Sequence, residues 1–200
     1  MPFTAAIVIV VLSYTWVVEP RVAHSFAYVP IALVVILTIW HDSRRRECGL
    51  SWRALGPGLR LSLSVTVVLT LLILAAGGAM GTLHDRRDFL GSLAGLVVWG
   101  GAQQWVLQTV VLREAQRATS RNAGIVIAAL LFGAMHVPNP FLTVVTIAAA
   151  LFWCWLYDRH PNIVPVALSH ALGTLAILYA FDQDVTGRLR IGASYLRLDR

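Results

Sequence analysis

The sequence predicts an all-α fold: a polytopic transmembrane helical bundle of about seven spans, forming one integral membrane domain over residues 1–200. Three observations lead there. Of the 200 residues, 58% are hydrophobic, above the roughly 45–50% of a soluble domain. Charged residues make up 13%, about half the usual share. The apolar residues also fall in successive runs close to the ~20 residues a helix needs to cross a bilayer, and mean hydropathy is +0.71.

Each run has its own boundaries. The first covers residues 3–18 and is closed by Glu19-Pro20-Arg21. It has no basic leading region and no small-residue cleavage site, so it reads as a retained span rather than a signal peptide. The second, 27–40, is entered through Val29-Pro30, where proline suits a helix start. A polar segment, 41–60, begins with Arg44-Arg45-Arg46 nearby and places Trp52 and Leu55 at the interface. The third run, 61–80, ends in Gly77-Gly78 and Gly81. The fourth, 89–112, carries Gly91-x-x-x-Gly95 and Gly100-Gly101, a spacing that lets helices pack closely. A polar loop, 113–122, precedes a fifth run, 123–137, that ends at Pro138-Asn139-Pro140. The sixth covers 141–157 and the seventh 163–181. In the polar, basic tail, 182–200, Arg188, Arg190 and Arg197 alternate with Leu189, Ile191 and Leu198. That pattern fits either an interfacial strand or a short amphipathic piece.

The net charge is +6, and all 16 basic residues are arginines. Basic residues between spans are a topology signal rather than a nucleic-acid surface, and no nucleic-acid partner is expected. Segments 41–60 and 113–121 hold Arg44, Arg45, Arg46, Arg53, Arg60, Arg113, Arg117 and Arg121, which predicts a shared cytoplasmic side. Arg21, Arg86, Arg87 and the tail fall on the other. Cys48 and Cys154 have neither the spacing of a zinc site nor the context of a disulfide. No metal and no cofactor are expected.

Polar side chains at membrane depth cost free energy and so mark candidate sites. The fourth run contains Gln103, Gln104 and Gln108, the fifth closes on His136, and the seventh holds His170 with Thr174 one turn beyond. Gln104 and Gln108 are four apart, the spacing of neighbours on one helix face. Three helices are therefore expected to direct buried polar groups into the bundle. Hydrolysis needs a group that activates water. All ten acidic residues lie in loops, at span ends or in the tail, and the one nearest the cluster is Glu114. Glutamine keeps the reach of glutamate but neither ionises nor takes a proton.

The order of these elements resembles the CPBP family, also called the Abi or CAAX-protease family, which includes the Rce1-type prenyl endopeptidases. The family's motifs are Glu-Glu-x-x-x-Arg, Phe-x-x-x-His, and His-x-x-x-Asn or His-x-x-x-Asp, on successive membrane helices. Phe132 to His136 matches the second in full, and His170 matches the head of the third, with Thr174 in place of Asn or Asp. Gln103 and Gln104 stand at the two Glu positions and Gln108 at the Arg position. The likeness covers about residues 90–180. It implies an intramembrane glutamate-protease fold more strongly than the activity, because the first Glu is the residue credited with activating water.

Two functions follow. One is a catalytically degenerate family member, a pseudoenzyme that binds membrane lipid, a prenylated or apolar ligand, or another integral membrane protein as a subunit of a membrane complex. Trp99, Trp105, Trp153 and Trp155 would add aromatic surface near the site or serve as interfacial anchors. The other is an active CAAX-type endopeptidase using His136 and His170. The glutamines also have a plain packing role, amides bonding between helices. A transporter has less support, since there is no inverted repeat and no buried charge to move. The expected location is the cytoplasmic (inner) membrane of a bacterium.

Overall fold

Every long apolar run becomes a helix. The computed structural model describes residues 1–22, 28–46, 48–85 and 88–197. Ala27, Arg86, Arg87 and Leu198, to which the sequence assigns a span start, a loop charge and a tail position, lie outside the described residues. The order is α1 (Pro2–Ser13), continued by a π-helical turn (Tyr14–Val18), then α2 (Tyr28–Arg45) and α3 (Trp52–Met80). α4 (Phe89–Trp105) is followed by a π-helical segment (Val106–Leu112) and α5 (Arg113–Ala118). α6 (Arg121–Ala134), α7 (Pro140–Arg159), α8 (Ile163–Ala180), α9 (Gln183–Thr186) and α10 (Gly192–Tyr195) complete the chain. α3, α7 and α8 are long and apolar enough to cross a membrane; α6, and α1 with its π turn, are apolar but shorter.

Three boundaries differ from the expected ones. The polar segment 41–60 is helical at both ends: α2 runs on through Arg45 and α3 starts at Trp52. Arg44 and Arg45 in the last turn of α2 favour that extension through the helix dipole. Gly56-Pro57-Gly58 does not break α3, because Pro57 lies near its start, where few intrahelical bonds are lost. The loop 113–122 contains α5. The tail is a series of helical turns rather than a strand, since Gly187, Arg188 and Leu189 all take positive φ, which ends any extended run.

The chain forms two compact units. The first comprises Met1–Cys48, Val106–Cys154 and Gly187–Arg200. Its centre is the π-helical segment, in which Leu107, Gln108, Thr109, Val110, Val111 and Leu112 are all buried. α1, α2 and α6 pack on this segment, which accounts for burial on every side. α6 and α7 approach closely at Gly133, where a Cβ would fall 2.2 Å from Ile147 Cγ1.

The second unit comprises Gly49–Trp105 and Trp155–Thr186. α3 and α4 both pack on α8. The buried stripe of α3 is Ala54, Gly58, Ser62, Thr66 and Gly77, all small, and most of them four apart. Ser62 Oγ donates to the Pro165 carbonyl at 2.8 Å, and Thr66 Oγ1 donates to Ser169 Oγ at 2.8 Å. Small residues and hydroxyls of this kind replace hydrophobic driving force between helices in lipid. The opposite face of α3, with Val67, Val68, Leu71 and Leu72, is exposed. Only 11% of the apolar stretch of α3 is buried, against 50% for α8, so α3 is the outer helix of this unit. Gly91 and Gly95 do not pack helices as their spacing suggests. A Cβ at Gly95 would meet nothing within 4 Å, and one at Gly91 would meet Asp88 at the start of its own helix.

Candidate functional site

In the second unit, Gly100 and Gln104 are four apart on α4 and share a face. That face meets His170 of α8. A Cβ at Gly100 would lie 3.2 Å from His170 Cγ, so the missing side chain is what admits the imidazole. One turn on, Gln104 Nε2 lies 3.2 Å from His170 Nδ1. Gln104 is fully buried. An amide nitrogen only donates, so Nδ1 accepts, and a neutral His170 carries its proton on Nε2. Gln103 and Thr174 are half-buried in the same unit, one beside Gln104 and the other one turn past His170.

The first unit holds a histidine of the opposite tautomer. His136 follows the last turn of α6, where carbonyls lack intrahelical donors. Its backbone N–H bonds to the Gly133 carbonyl at 2.8 Å, and its Nδ1 lies 2.7 Å from the Phe132 carbonyl oxygen. A carbonyl only accepts, so Nδ1 holds the proton and Nε2 keeps the lone pair. The imidazole also meets the Phe132 ring at 4.9 Å in an edge arrangement. Phe132 is packed on Trp153 at 6.4 Å between centroids. The spacing Phe-x-x-x-His thus has a local physical basis at the end of a helix. Gln108, fully buried, belongs to the π-helical segment of this unit. Such segments cluster at functional sites.

The tryptophans divide. Trp153 is a buried core residue packed on Phe132, not an interfacial anchor. Trp99 is exposed, and Trp155 is stacked under the Arg159 guanidinium at 4.3 Å.

Glu114, the acid nearest the glutamines in sequence, is buried. Its Oε2 accepts from Thr4 N at 2.8 Å and its Oε1 from Phe3 N at 3.5 Å. It therefore caps α1, whose own Met1 supplies no side-chain cap. A carboxylate at a helix N-terminus is a favourable placement, and it commits Glu114 to structure. The sequence reading missed a second polar group in this unit. Buried His41 has Nδ1 2.9 Å from Asp42 Oδ1 and Nε2 3.4 Å from Arg117 Nη1. The adjacent pair His41-Asp42 is its one signal in the sequence, and it falls at the head of the polar segment 41–60. Among the described residues, no three His, Cys, Asp or Glu side chains group as a metal site.

A family model described as type II CAAX prenyl endopeptidase Rce1-like matches residues 3–176. The match begins far ahead of the motifs, which all lie beyond residue 100, and takes in the motif-free helices of the first half. No curated protein and no solved structure matches the chain.

Proposed function

The chain belongs to the Rce1-like family of type II CAAX prenyl endopeptidases, and from that premise we propose that it is a catalytically degenerate member. On this reading it uses the family's membrane bundle to bind rather than to cleave. The ligand class is an apolar or prenylated chain, a membrane lipid, or another integral membrane protein for which it acts as a subunit. Its setting is a polytopic bundle of about seven spans in a bacterial inner membrane.

One observation carries the reading: the contact of Gln104 with His170. A glutamate at position 104 would accept from Nδ1–H and leave Nε2 of His170 as a base. The amide donates instead, which puts the proton on Nε2 and removes the basic lone pair from that atom. Loss of a general base lowers rates by about 10² to 10⁴. Gln103, Gln108 and Thr174 depart from the family motif as well, so the deficit compounds.

The runner-up is an active endopeptidase. It draws support from His136, whose lone pair sits on Nε2 because Nδ1 is held by the Phe132 carbonyl. The test is hydrolysis of a prenylated CAAX peptide by the natural chain, by His136→Ala and by His170→Ala. We expect no cleavage by any of them, and cleavage to become measurable when Gln103→Glu and Gln104→Glu are combined, since a general base supplies about 10² to 10⁴ in rate. Cleavage by the natural chain that disappears in either histidine variant would overturn the reading.

A further inference from the structure

We propose that the surface formed by the end of α2, α5 and the start of α6 in the first unit binds the headgroups of anionic phospholipids. This goes beyond the proposed function and is independent of it. Six arginines lie on these segments: Arg44 and Arg45 in the last turn of α2, Arg46 just past it, Arg113 and Arg117 on α5, and Arg121 at the head of α6. All are exposed except Arg113, which is half-buried.

Side-chain contacts join these segments into one surface. Arg117 Nη1 sits 3.4 Å from His41 Nε2, and His41 is three and four residues ahead of Arg44 and Arg45 on α2. Gln116 links Arg113, whose Nη1 donates to its Oε1 at 2.9 Å, with Arg121, whose carbonyl accepts from its Nε2 at 3.4 Å. Glu47 lies outside the described residues, and the two nearby acids that are described turn inward. Asp42 is buried and holds His41 Nδ1, while Glu114 is buried and caps α1. Among the described residues the outward charge is therefore positive.

The side chains beside this surface point to lipid. Ile36 and Ile39 of α2 are exposed apolar side chains, and Trp40, next along the helix, is 48% exposed. Arg44 lies one turn further, its guanidinium 4.6 Å above the Trp40 ring. The sequence apolar, tryptophan, arginine is the gradient of a bilayer boundary. A guanidinium fixed on an aromatic face is also oriented to grip a phosphate with two parallel N–H donors. Asp42 and His41 act as positioning residues, since the Asp42–His41 pair holds the Arg117 head group in place.

The experiment uses the full chain in mild detergent, mixed with equal amounts of phosphatidylglycerol and phosphatidylcholine of identical acyl chains. Native mass spectrometry reads the ratio of bound lipids. We expect phosphatidylglycerol to be retained at least about tenfold over phosphatidylcholine, with Arg44→Gln and Arg117→Gln each lowering that preference about fivefold. Trp40→Leu keeps every charge and should still lower it. Equal retention of the two lipids by the natural chain would overturn the proposal. So would an undiminished preference in the combined Arg44→Gln, Arg117→Gln chain, or displacement of the lipid by inorganic phosphate at matching concentration.

Discussion

Gln104 and His170 hold each other at 3.2 Å, with the amide as donor and the imidazole as acceptor. The contact depends on Gly100, which leaves room for the ring one turn earlier on α4. The direction of this hydrogen bond is chemically meaningful, because a carboxylate in the same place would reverse it.

The first prediction tests that reversal without recourse to activity. In the natural chain, imidazole ¹⁵N shifts at a pH where His170 is neutral should report a proton on Nε2. In Gln104→Glu they should report it on Nδ1. An unchanged tautomer in the variant would mean that position 104 does not set it.

Helix packing offers a second prediction, in two opposed glycines. A Cβ at Gly77 would lie 2.3 Å from the Ala180 carbonyl oxygen, a backbone atom that cannot swing aside. Gly77→Ala should cost about 1–3 kcal/mol in detergent unfolding. At Gly95 nothing lies within 4 Å, so Gly95→Ala should be neutral or stabilise by up to about 1 kcal/mol through helix propensity. Equal effects at the two sites would contradict the packing of α3 on α8.

Glu114 supplies the third. Its carboxylate takes the Phe3 and Thr4 amides at the head of α1. Glu114→Gln should keep its shape, lose the charge, and weaken the first turn of α1 by about 1–2 kcal/mol. Amide hydrogen exchange at Phe3 and Thr4 should quicken, while that of α8 stays as it is. Unaltered exchange at both amides would remove the capping role.

The sequence was informative where residues act locally. Phe132, His136 and His170 could be placed on their helices because four-residue spacings carry over into α-helical neighbours. The all-helical architecture followed from apolar runs alone. What stayed hidden depends on distant segments or on unusual backbone. Nothing in the composition of residues 106–112 marks a widened helical turn. Glu114 looked like a surface charge because its partners, Phe3 and Thr4, lie more than a hundred residues away. The polar segment 41–60 hides the start of α3, where the side chains of Pro165 and His160 lie against Gly58 inside a continuous helix. Gly91 and Gly95 had the right spacing for helix contact on a face that meets none.

The carbonyl of Phe132 has one more consequence. His41 is oriented by a side-chain carboxyl, that of Asp42, whereas His136 is oriented by the peptide backbone. Every residue type offers that oxygen, so the choice of nitrogen in His136 is written into the chain path rather than into a side chain. A neutral orienting group avoids bringing a second charge into a poorly solvated interior, where an ion's hydration is costly to replace. It would survive Phe132→Leu, which removes the aromatic edge and leaves the acceptor. The phenylalanine can then be exchanged for another bulky apolar residue without altering which face of the imidazole is basic.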